Sequence, residues 1–128
     1  MKSCFLNVDL EIESASKLDS IITAMGNRIM VLHSGPGIKR RHLLALESSS
    51  QHRGPDATIH ALCLAVESLP PAARKIWNAA LKEFDVGYEL RPSEHFSRFT
   101  LRPDTLERVA KLGATLAVTY YRGDINGA

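Results

Sequence analysis

The sequence predicts an α+β domain: a mainly antiparallel sheet with helices packed on one face, in ferredoxin-like βαββαβ order with a C-terminal β-α-β extension. Three observations carry this expectation. Several short runs alternate apolar and polar residues, as half-buried strands do. Between them lie segments whose apolar residues recur at helical spacing, bounded by capping residues, glycine or proline. The chain has 128 residues, 45% hydrophobic and 23% charged, which suits one soluble core. We place that domain over 1–122 and expect a flexible tail over 123–128, where nothing can pack.

The first strand is "CFLNVDLEIES", with Cys4, Leu6, Val8, Leu10 and Ile12 on one side and Asn7, Asp9, Glu11 and Glu13 on the other. "SASKLDSIITAMG" follows as a helix, its stripe formed by Leu18, Ile21, Ile22 and Met25, with Ser16 placed to cap it and Gly26 to stop it. "RIMVLHS" and "RHLLALESS" read as the second and third strands. In "PDATIHALCLAVESL" Ile59, Leu62, Cys63, Val66 and Leu69 share one helical face, and Asp56 is placed to cap. Pro70 and Pro71 end this helix and start the next, because proline suits a first turn and not a helix interior. That next helix, "AARKIWNAALKEF", turns Ile76, Trp77, Ala80 and Leu81 inward. "FDVGYEL" alternates as a fourth strand, with Asp85, Gly87 and Glu89 opposite its apolar side. "FSRFTL" is expected as a short strand, "RPDTLERVAKLG" as a helix from Pro103 to Gly113, and "ATLAVTYYR" as the last strand. An open edge at "FSRFTL" would let the chain pair with a symmetry mate as a homodimer.

Bulk properties argue against some functions. Sixteen Lys/Arg against fourteen Asp/Glu give a net charge of +2, so the basic excess of a dedicated nucleic-acid domain is missing. No apolar run reaches the ~20 residues that span a bilayer, and no signal peptide is visible. Cys4 and Cys63 are too few for a disulfide framework, which points to a reduced, cytoplasmic protein. Both lie on apolar stripes and read as buried hydrophobes rather than nucleophiles. No cofactor or metal-ligand motif is present, and no catalytic residue is assigned.

Two features remain as candidate sites. "LHSGPGIKRRH" resembles a phosphate loop only superficially. Its glycines are two apart, Pro36 removes a donor, and a strand follows instead of a helix. It reads as a hairpin turn. An alternative is an anion- or small-molecule-binding protein or a small enzyme, its site built from His33, Lys39, Arg40, Arg41 and His42, with the two histidines facing across the hairpin. The more coherent feature is acidic. Asp9, Glu11 and Glu13 project from the open face of the sheet, and Asp85 and Glu89 join them if the fourth strand lies beside the first. A flat open face does not separate carboxylate pKa values as acid–base catalysis requires, whereas it suits docking of a basic protein partner.

Two segments, "FLNVDLEIES" and "FTLRPDTLERVAKLGATLAVTYY", resemble small uncharacterised bacterial domains, some proposed as immunity proteins of polymorphic toxin systems. The resemblance covers about a quarter of the chain. It implies a non-enzymatic protein that neutralises a partner by binding.

Overall fold

The computed structural model of the chain describes residues 5–50, 52–90 and 98–122. The described elements run β1 (Phe5–Ser14), α1 (Asp19–Met25), β2 (Ile29–Pro36), β3 (His42–Ser48), α2 (Gly54–Glu67), α3 (Pro71–Ala79), β4 (Leu81–Leu90), α4 (Pro103–Lys111) and β5 (Thr115–Arg122). The strands form one mixed sheet of order β2-β3-β1-β4-β5. β1 is antiparallel to both β3 and β4, and β2 is antiparallel to β3. β4 and β5 are parallel, a pairing that needs a crossover, which α4 supplies. The fold is α+β, and the expectation of a mainly antiparallel sheet is qualified at this last pair.

Alternation decides which way each strand faces. Val8, Leu10 and Ile12 of β1, Leu44 and Leu46 of β3, and Phe84 and Val86 of β4 point toward the helices and are buried. Ile59, Leu62 and Val66 of α2 and Trp77 of α3 complete the same cluster. Trp77 is a core anchor whose indole N–H donates to the carbonyl of Leu112 at 2.9 Å, tying α3 to the turn after α4. Cys63 is buried in this core, and burial pushes its thiol up to about 12.

Several local expectations are corrected. Ser16 does not cap α1. The helix starts at Asp19 with Leu18 in the capping position, and the Ser16 N–H donates to Ser14 Oγ. Asp56 lies in the first turn of α2, and its Oδ1 accepts the N–H of Arg102 at 2.8 Å, joining the starts of α2 and α4. The third helix stops at Ala79, because Ala80 is already extended. Leu81 therefore stands 64% exposed on β4, and Lys82 takes the inward position. In "FSRFTL", Arg98–Leu101 form no strand, and Phe96 and Ser97 lie outside the described residues. Phe99 stacks on Tyr88 instead, with ring centroids 5.5 Å apart. The readings of Cys4 and of the 123–128 tail also fall outside the described residues.

Candidate functional site

Helices cover one side of the sheet, and among the described residues no helix covers the other. On β1 the open side carries Asn7, Asp9, Glu11 and Glu13. The register sets Asp9 opposite Asp85 and Glu11 opposite Glu83. The fourth strand thus lies beside the first, and Asp85 joins the acidic row, with Glu89 further along β4 on the same side. β3 adds Glu47, which lies across from Asp9 because Leu10 pairs with Leu46. Seven of the fourteen Asp/Glu side chains therefore share one face.

Sequence reasoning missed Glu47 and Glu83. Glu47 could have been found by continuing the alternation of "HLLALES", in which Leu44 and Leu46 are the inward pair. Glu83 was hidden by the overlong third helix.

Among the described residues one cation pairs with Asp9, Glu11, Glu13, Glu47, Glu83 or Asp85: Arg41, whose Nε lies 2.6 Å from Glu13 Oε2. Neutral donors serve most of the others. Asn7 Nδ2 donates to Asp9 at 3.0 Å and to Glu47 at 3.1 Å. Thr119 donates to Asp85 at 2.6 Å and Thr115 to Glu83 at 3.1 Å. Glu11 makes no hydrogen bond or ion pair among the described residues. Burial, then the neighbouring Glu47 and Asp85, raises the Asp9 pKa above its ordinary value. Burial also raises that of Glu11, followed by Asp85, Asp9 and Glu83. Directly opposed like charges destabilise a sheet, so this arrangement carries a cost that folding alone does not require.

Beside the carboxylates lies a shallow trough of about 590 Å³. Leu43, Ala45 and Leu81 give it an apolar floor, Glu11, Glu13 and Glu83 line it with acid, His33 stands at the β2 side, and Lys82 also borders it.

The residues of the hairpin alternative are not brought together. His33 pairs with Ala45 and His42 with Pro36, across a register shift between Val31 and His33. Ala45 and His42 lie on opposite sides of β3 by alternation, so the two histidines do not face each other. His42 borders Lys17 and Leu18 on the helix side. Arg41 is held by Glu13, and its guanidinium also reaches the Glu13 carbonyl at 3.4 Å. Lys39 and Arg40 sit exposed at the hairpin tip with positive φ values of 57° and 64°. Gly37, in contrast, is needed for space: a Cβ there would meet Leu43 Cγ at 2.8 Å. The segment is a turn. Among the described residues no group of three His, Cys, Asp or Glu is placed to hold a metal, and no helix is long and apolar enough to cross a membrane.

Comparison with known proteins found no match: no family model, no curated protein and no solved structure is significantly similar to the chain.

Proposed function

We propose that this chain is a non-enzymatic binding protein that docks a partner with a basic surface on the open face of its sheet. One observation carries the reading: seven carboxylates share that face, and two like-charged pairs, Asp9 with Asp85 and Glu11 with Glu83, sit directly opposed. A basic partner would offset the repulsion that the free protein bears, and complementary charge would speed encounter and set orientation. The β4-β1-β3-β2 part is taken as a ferredoxin-like unit whose free face is the surface left for docking, with α4 and β5 as its extension. The likeness of "FLNVDLEIES" and "FTLRPDTLERVAKLGATLAVTYY" to immunity-type domains supports neutralisation by binding in a bacterial cytoplasm.

The test separates the face from net charge. A Glu11→Lys/Glu83→Lys variant and an Asp19→Lys/Glu107→Lys variant change total charge equally. Binding of a defined lysine- and arginine-rich peptide is measured by fluorescence titration at several salt concentrations. The sheet-face variant should lose binding while the other retains it. Equal loss in both would show that net charge acts without the face, and the proposal would fail.

A further inference from the structure

The sequence sets a glycine between two acids on the open side of β4: Asp85, Gly87 and Glu89. Glycine inside a strand packs nothing of its own and marks a place where a neighbour needs the room. The parallel register with β5 puts Asp85 beside Ala117, Gly87 beside Thr119 and Glu89 beside Tyr121. Alternation sends Tyr121 to the open face, whereas Tyr120 meets Tyr88 on the helix side with ring centroids 6.3 Å apart. Tyr121 leans over the glycine. A Cβ on Gly87 would lie 3.5 Å from Tyr121 Cε2 and 3.0 Å from Asn7 Oδ1. Even so Tyr121 stays 50% exposed, and among the described residues no cation or second ring meets it.

We propose that Tyr121 and Asp85 form a subsite for an arginine side chain of the basic partner, its guanidinium stacking on the ring above Gly87. The inference rests on the docking reading and names the side chain that the face selects. Two properties of the place favour arginine. An aromatic face attracts a cation within ~6 Å of its centroid, and a planar guanidinium stacks there with weaker hydration to lose than an ammonium has. Once stacked, the guanidinium keeps its N–H fork free at the edge to meet a carboxylate. Asp85 stands two residues before Gly87 on the same side, roughly 7 Å along the strand, within reach of that fork. Thr119 Oγ1 donates to Asp85 Oδ1 at 2.6 Å and so holds the carboxylate in place. A lysine ammonium is a compact, strongly hydrated point charge and gains less from ring and acid together.

Ring and acid come from two strands joined by the α4 crossover, so the parallel register of β4 and β5 decides whether they meet. A slip of one residue would turn Tyr121 to the helix side and bring Tyr120 out in its place.

The test compares two peptides of equal length and charge, repeats of Gly-Arg and of Gly-Lys, by fluorescence titration against the full chain. Wild type should hold the arginine peptide about two- to fivefold more tightly, the size of an exposed cation–π contact. Tyr121→Leu should lose that preference with net charge unchanged, and Tyr121→Phe, which keeps the ring, should retain it. Equal binding of both peptides by wild type overturns the subsite and leaves the docking face standing, whereas binding of neither overturns both. A Tyr121→Leu chain that keeps the preference, or a Tyr121→Phe chain that loses it, also overturns the subsite. Should Tyr121→Leu not fold, the ring-proton shifts of Tyr121 in wild type decide. Movement with the arginine peptide and not with the lysine peptide supports stacking, and equal movement or none overturns it.

Discussion

Glu11 is the residue at which stability and binding are set against each other. It projects from the central strand, faces Glu83, has Asp9 and Asp85 near it, and has no donor of its own among the described residues. Glu11→Gln removes repulsion without removing a hydrogen bond, so it should stabilise the protein by roughly 0.2–1 kcal/mol, the size of a cross-strand charge effect. A higher midpoint in urea, together with weaker binding of the basic peptide, is the expected pair of results. A lower midpoint would mean that the carboxylate supports the fold.

The same crowding fixes the sign of a pH effect. A carboxylate with a raised folded pKa holds its proton more tightly when folded. Stability therefore falls as pH rises from the ordinary values of 3.8 and 4.5 through the raised ones. Asp9→Asn/Glu11→Gln should accordingly gain more over wild type at pH 7 than at pH 5. Urea midpoints at both values check this, and an advantage that grows toward pH 5 would contradict it.

At the scale of the element, the junction between α3 and β4 carries much of the architecture. Lys82 is buried just after the helix, and its ammonium donates to the carbonyls of Trp77, Asn78 and Ala80 at 2.9, 3.3 and 3.0 Å. These carbonyls lie at the C-terminal end of α3, where that of Trp77 also accepts the Ala80 N–H, and a cation there meets the negative end of the dipole. Burial, then Arg74, lowers the lysine's pKa. Lys82→Met keeps the stem and removes all three bonds, and it should cost roughly 1–3 kcal/mol in chemical denaturation. Trp77→Phe should cost about 2 kcal/mol by leaving the Leu112 carbonyl unpaired and a void beside it. Retained stability in either variant would show that the junction does not hold the helix in place.

This junction is also where sequence reading failed. Ile76, Trp77, Ala80 and Phe84 continue a helical stripe, while Lys82, Phe84, Val86 and Tyr88 begin a strand one. The two patterns overlap from Ala80 to Phe84, and periodicity alone cannot say where one gives way. Apolar side chains in "FSRFTL" raised a similar ambiguity. There Phe99 and Leu101 pack against the core from an irregular segment, so burial came without strand pairing.

For the whole molecule, the net charge of +2 conceals a strong separation. Among the described residues the open face holds seven carboxylates with Arg41, and the other thirteen Lys/Arg belong to the rest of the structure with five Asp/Glu. Near-neutral balance is thus an average over two unlike sides, and long-range attraction to a basic partner is compatible with it. Binding governed by this field should weaken steeply with salt, with the loss concentrated in the association rate. Stopped-flow measurements at low and high salt with the basic peptide check this; a salt effect confined to dissociation would count against steering.

Local chemistry determined a great deal by itself. Period-two alternation placed Asp9, Glu11 and Glu13 on one side of a strand, because successive side chains of extended backbone must alternate. Proline and glycine marked the starts of α3 and α4 and the end of α4, because one lacks an N–H and the other tolerates positive φ. Tertiary structure decided what adjacency decides. It brought Asp85 and Glu83 from residues more than seventy positions away to face β1. It put His33 and His42 on opposite sides of the sheet and left β2 at the edge. Strand order and register follow from how whole faces pack, and a single residue of slip reverses which side each chain segment shows.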